Sequence, residues 1–253
     1  MASFEDELRR YDHIIKRISR IALLGKKFEI RGAENFVTKG PNIIIGNHVG
    51  TFKDVALLFL IVPRPIFFMA NRQIFNRPEF SVLVRNHLIK HIGNFGRFLN
   101  LMINPYKFLV VDYISTHIAR VGSIPVDLMN GNKERTRSLC QDYLKKDRAI
   151  IFLQGRGRVD PQAPNPYVAR FKPGSSTISY NIYTQDRISV PVTPLAIYGT
   201  QLPFLVPRTV KVNVGKPLFI KDYQEDGMRE TVERFRSTLE GTVKALFMDL
   251  IRT

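Results

Sequence analysis

The chain has 253 residues, 44% of them hydrophobic and 24% charged, so it is neither disordered nor collagen-like. Its one cysteine excludes a disulfide scaffold and a thiolate-rich zinc site, and predicts a reducing compartment. Lys and Arg number 38 against 22 Asp and Glu, and the net charge of +16 fits nucleic acid, an anionic bilayer surface or a polyanionic small substrate.

Residues 4–24 carry apolar side chains at helical spacing: Phe4, Leu8, Tyr11, Ile15, Ile18 and Ala22. Arg9, Arg10, Lys16, Arg17 and Arg20 occupy the polar face. Such a helix either lies in a membrane interface or packs on its own core, and the two readings stand even. Residues 1–27 are thus read as a basic amphipathic helix and possible membrane anchor, and 28–253 as one α/β domain. Glu5-Asp6-Glu7 stand where a signal peptide needs bases, and the apolar run Val55–Ala70 is broken by Pro63-Arg64-Pro65. A spanning helix needs roughly 20 apolar residues, so a cytoplasmic protein, at most peripheral on the cytoplasmic face of a membrane, is expected.

From Phe28 onward, short apolar runs alternate with helical patterns. The runs predict strands at Phe28–Arg31, Asn42–Ile45, Ile66–Met69, Ser123–Val126, Ala149–Leu153, Val190–Ala196 and Val210–Val214. Helices are predicted at Val55–Leu60, Glu79–Ile89, Lys133–Leu144, Ser175–Tyr183 and Met228–Ile251. This rhythm predicts a mixed central sheet flanked by helices. Pro194 marks its strand as an edge or bulged one. The apolar segment His91–Val121 fits helical packing, an acyl-chain wall or a membrane-facing insertion.

Chemistry concentrates where strands end. Asn47-His48 follows an apolar strand, and Asp54 lies near the first turn of the next helix. A carboxylate there can hold one imidazole nitrogen and leave the other free as a base. Gln154-Gly155-Arg156-Gly157-Arg158 follows a second buried strand, where glycines let the backbone approach a ligand and arginine forks suit phosphate or carboxylate. Phe171-Lys172-Pro173-Gly174 precedes a helix capped by Ser175 or Ser176, a place for an anion or simply a cap.

Taken in order, these segments resemble the glycerolipid acyltransferase family that includes 1-acyl-glycerol-3-phosphate acyltransferases. The matching residues are Asn47-His48 with Asp54, Gly122-Ser-Ile-Pro-Val-Asp127, Phe152-Leu-Gln-Gly155, Phe171-Lys172-x-Gly174 and Thr193-Pro194-Leu-Ala-Ile197. The resemblance runs from near Phe28 to near Lys221. Four departures stand out. One extra residue separates His48 from Asp54, leaving Lys53 at the family's aspartate position, so either the loop bulges to restore the pair or the pair is impaired. Leu128 and Gly157 stand where the family has arginines, and Gln154 replaces a glutamate.

The resemblance implies an O-acyltransferase. His48 would take a proton from the hydroxyl of a lysophospholipid, foremost 1-acyl-glycerol-3-phosphate, as that oxygen attacks an acyl thioester; Asp54 would orient the imidazole. Asn47, Gln154, Gly155, Arg156, Arg158 and Lys172 would bind substrate. The donor would be acyl-CoA or acyl-carrier protein as co-substrate, with no cofactor and no metal. An anionic membrane surface is the expected partner, and nucleic acid is not, for want of any RNA-binding signature. The alternatives are another lysolipid acceptor, or a non-catalytic lipid-binding scaffold of the same fold.

Overall fold

Residues 4–82, 85–86, 111–112, 115–116, 123–126, 133–202 and 208–252 are described by the computed structural model. In chain order the elements are α1 (Phe4–Ala22), β1 (Lys26–Arg31), β2 (Asn42–Asn47), α2 (Phe52–Ile61), β3 (Ile66–Asn71), β4 (Ser123–Val126), α3 (Lys133–Lys145) and β5 (Ala149–Gln154). Then follow α4 (Gly174–Asp186), β6 (Pro191–Tyr198), β7 (Arg208–Val214), β8 (Leu218–Phe219) and α5 (Met228–Arg252). The predicted helix Glu79–Ile89 is helical at its described residues and otherwise lies outside them. So does the apolar segment 91–121, except for Val111, Asp112, Ser115 and Thr116, along with Gly122, Asp127 and Leu128 of the second motif.

The chain forms two compact units, the larger of Asp12–Phe68 and Arg137–Thr253, the smaller of Met1–Tyr11 and Met69–Thr136. In the larger, the strands run in the order β1-β7-β6-β2-β5-β3, with β8 on β6; β4 neighbours β3 in the smaller. The pairs β1–β7, β6–β2, β2–β5 and β5–β3 are parallel, and β6 is antiparallel to β7 and β8. The sheet is thus mixed, as predicted. In the smaller unit, Ser115 Oγ donates to Ile74 O at 2.9 Å and Arg77 donates to Thr116 Oγ1 at 3.0 Å.

β2 has no exposed residue, because its Asn-Ile-Ile-Ile-Gly-Asn run is covered on both faces. Ile44 joins Leu57, Leu58, Ile66, Ile151 and Val212 in one apolar cluster under α2. Each such side chain, fully buried, contributes roughly 1.5–3 kcal/mol. α5 packs on β6 and β7. Its stripe Val232, Phe235, Leu239, Val243, Phe247 and Leu250 is buried at the helical spacing the sequence shows.

Of the edge or bulged strand that its proline predicts, the edge is overturned: β6 is an interior strand. Pro194 stands beside Ile45 of β2. On the other side of β6, the ladder to β8 includes Val192 and the ladder to β7 includes Leu195. Pro194 falls between them, where its missing N–H breaks neither ladder.

α1 and the turn after it divide their apolar residues. Ile15 and Leu23 are buried, as is Ser19 between them, whereas Ile18, Ile21 and Leu24 are exposed together with Arg17 and Arg20. Among the described residues no helix is long and apolar enough to cross a membrane.

Candidate active site

Three neighbouring parallel strands, β6, β2 and β5, end on the same side of the sheet. Their carboxyl ends deliver Gly199-Thr200, Asn47-His48 and Gln154-Gly155, the place where α/β sheets bind ligands. The ends are laced together. Asn47 donates to Ile197 O at 2.9 Å and to Tyr167 O at 3.1 Å, and accepts from Ile197 N at 2.7 Å. His48 N donates to Gln154 O at 2.9 Å.

His48 and Asp54 meet despite the extra residue. His48 Nδ1 lies 2.8 Å from Asp54 Oδ2, with the imidazole 22% exposed and the carboxylate 0%. The loop absorbs the insertion before α2 begins: Thr51 takes φ 53°, ψ −128° at the N-cap. That region is unfavourable for a β-branched residue, and such outliers cost of order 1–3 kcal/mol. Asp54 then occupies the first turn of α2, where an acid is favoured by the helix dipole and reaches back to earlier amides. Its Oδ2 accepts from Val49 N at 2.9 Å and Gly50 N at 2.8 Å. Lys53, at the family's aspartate position, turns away and donates to Leu202 O. Burial, and then the neighbouring Lys26, push its ammonium below the ordinary value, against the opposing pull of Asp54.

The donors around Asp54 fix the imidazole tautomer. A carboxylate only accepts hydrogen bonds, so the proton between the two residues is assigned to His48 Nδ1, the tautomer of a neutral imidazole whose Nε2 can act as a base.

His48 opens into a cleft of about 120 Å³ lined also by Gly155, Arg156, Arg158, Asp160, Asn165 and Tyr167. Gly155 has φ 133°, and a Cβ there would stand 2.8 Å from His48 O. Gly157 has φ 71°, and its Cβ would stand 2.9 Å from Thr51 Cγ2 and 3.1 Å from His48 Nε2. A glycine at the family's arginine position therefore keeps the space beside the base nitrogen open.

Of the predicted substrate-binding residues, Gly155, Arg156 and Arg158 line this cleft with His48. Asn47 and Gln154 are instead buried and fasten backbone: Gln154 Oε1 accepts from Lys172 N at 3.1 Å. The Lys172 side chain is exposed and does not line the cleft. The loop Asp160–Tyr167, which also lines the cleft, carries no site signal in the sequence; in it Asn165 Oδ1 accepts from Tyr167 N and Val168 N at 3.1 and 2.9 Å. Its Asp-Pro and Asn-Pro pairs signal a turn but not a cleft wall. Thr200 carries no site signal either. A larger hollow of about 700 Å³, lined by Arg170, Pro173, Met228, Arg229, Val232 and Glu233, holds none of the predicted site residues.

A buried carboxylate holding a histidine, beside a cleft lined by two arginines at the carboxyl edge of a mixed sheet, is an arrangement that can serve as a general base next to an anionic group. Residues 27–93, which contain His48 and Asp54, match the family model described as Acyltransferase. The crystal structure of the 1-acyl-sn-glycerophosphate (LPA) acyltransferase PlsC from Thermotoga maritima is similar, with a TM-score of 0.61 and 19% identity over 99% of this chain and 84% of that one. That likeness is one of fold. No curated protein matches the chain in sequence. The segment that carries His48 and Asp54 is thus similar to an acyltransferase in sequence, and the chain is similar to PlsC in fold.

Proposed function

We propose that the protein transfers a fatty acyl group from a thioester, acyl-CoA or acyl-carrier protein, to the hydroxyl of a lysophospholipid, foremost 1-acyl-glycerol-3-phosphate. The observation that carries this reading is the 2.8 Å His48–Asp54 contact at the mouth of a cleft holding Arg156 and Arg158. His48 Nε2 takes the hydroxyl proton as the oxygen attacks the thioester carbonyl. The C–O bond forms, the C–S bond breaks, and the departing thiolate takes the proton back from the imidazole. Asp54 keeps the ring in place and stabilises the transient imidazolium.

Arg156 and Arg158 would receive the acceptor phosphate, each charge-assisted hydrogen bond contributing about 1.5–3 kcal/mol. Gly157 leaves room beside Nε2, which favours an acceptor whose head group enters alongside the base. The exposed Ile18, Ile21 and Leu24 beside Arg17 and Arg20 support peripheral attachment to an anionic membrane, on the cytoplasmic face. The deciding experiment is acyl transfer by the pure protein across a panel of lysolipid acceptors, read by mass. Product from lysophosphatidate that disappears in His48→Ala supports the reading. A folded parent that consumes no thioester with any acceptor supports the scaffold alternative.

A further inference from the structure

Asp54 is held from two directions, and the second comes from the far part of the chain. Its Oδ2 takes His48 and the amides of Val49 and Gly50, all within its own loop. Its Oδ1 accepts from Thr200 Oγ1 at 2.5 Å, and Thr200 is 0% exposed. A carboxylate torsion is broad and two-fold, so donors on one oxygen leave the group free to rock. A donor on the other oxygen, from a different element, removes that freedom.

The two loops touch with no room to spare. A Cβ on Gly50 would lie 2.4 Å from both Thr200 Cβ and Thr200 Oγ1, and 2.7 Å from Asp54 Oδ1. The turn carrying Thr200 is itself fastened. Gly199 N donates to Gln201 Oε1 at 2.8 Å, and Lys53 Nζ donates to Leu202 O. Consecutive residues of α2, Lys53 and Asp54, thus grip Leu202 and Thr200 of one turn.

Resting on the general-base reading above, we infer that Thr200 is a positioning residue for catalysis. Through Oδ1 it locks the Asp54 carboxylate so that Oδ2 stays on His48 Nδ1, in a loop one residue longer than the family spacing. Lys53 holds the Thr200 turn against α2.

The full chain gives two readouts. One is the proton on His48 Nδ1, a downfield resonance identified by its loss in His48→Ala. The other is the separation of kcat from KM for acyl transfer. Thr200→Val is expected to broaden the resonance through exchange with water. It should also lower kcat about tenfold while thioester KM stays within about twofold, the scale of one unsatisfied buried acceptor. Thr200→Ser should return both to the parent values. Should Thr200→Val not fold, Thr200→Cys, a weak donor of similar size, is expected to fall between the serine variant and the tenfold loss set for valine. The inference is overturned if the valine or cysteine variant keeps both the resonance and the kcat of the parent, or if serine loses them. A parent without acyl transfer defeats the functional reading alone, because the resonance still decides whether Thr200 holds Asp54.

Discussion

Gly157 and Gly40 share nearly the same positive φ, 71° and 78°, yet differ in what surrounds them. A Cβ on Gly157 meets Thr51 and His48 Nε2, whereas one on Gly40 meets nothing within 4 Å. Alanine at either position carries the left-handed strain of about 1 kcal/mol. Both variants should therefore lose a few degrees of Tm, but only Gly157→Ala should lose acyl transfer, by about tenfold or more, since a methyl beside Nε2 displaces the acceptor hydroxyl. Equal activity in both variants would show that the acceptor does not approach past Gly157. Asp54→Asn is expected to cost at least as much, because the amide cannot hold the Nδ1 proton as the carboxylate does. Thr51→Gly, by contrast, should raise Tm, since glycine adopts φ 53° without strain. His48 and Asp54 are legible in the sequence because both belong to one strand–loop–helix unit. Thr200 is not: 146 residues separate it from Asp54, and nothing in Gly199-Thr200-Gln201 distinguishes a hydrogen-bond donor from an ordinary turn.

α5 shows how a single element fixes the approach to the cleft. Arg236, nearly buried, donates to Glu240 Oε2 at 2.7 Å, and the same oxygen accepts from Phe171 N at 2.9 Å. The helix thereby pins the segment whose next residue, Lys172, is bound by Gln154 at the end of β5. Burial opposes the charge on Glu240, but hydrogen bonds from Lys244, the Phe171 amide and Arg236 outweigh it and hold the carboxyl below its ordinary value of 4.5. A carboxyl depressed on folding stabilises the protein fully above its unfolded value, and that contribution disappears as pH falls through the folded one. Glu240→Gln is expected to lose about 1.5–3 kcal/mol near neutral pH, the scale of a charge-assisted hydrogen bond, with the gap from the parent closing as pH drops below 4.5. Denaturant titrations at several pH values check this; a gap that persists in strong acid would mean the loss is packing, not charge. The stripe of α5 and the runs of β2 and β5 are legible because burial imposes periodicity on them. The interior place of β6 is not, because Pro194 is tolerated only through a change of partner strand that no local pattern announces.

At the scale of the whole molecule the charge of +16 draws the protein toward any anionic surface, and α1 decides how it would settle there. Its sequence fits membrane and core equally, and the fold divides the helix and the turn after it between them: Ile15 and Leu23 are buried, while Ile18, Ile21 and Leu24 stand outward. Deleting the helix would remove core as well as surface, so the informative variant is Ile18→Ser with Ile21→Ser and Leu24→Ser. Each basic residue near an anionic bilayer contributes about 1 kcal/mol, and buried apolar surface adds about 25 cal/mol per Å². Co-sedimentation of the parent with vesicles should rise with anionic lipid and fall with salt, and the triple variant should bind at least about tenfold more weakly at high salt, where apolar insertion is what remains. Cys140 supplies the control for folding. It is buried, and burial pushes its thiol up to about 12, so the folded chain holds almost no thiolate at neutral pH. A maleimide should label Cys140 slowly in parent and triple variant alike and rapidly in denaturant. Slow labelling together with undiminished vesicle binding would place the membrane contact on another face of the protein.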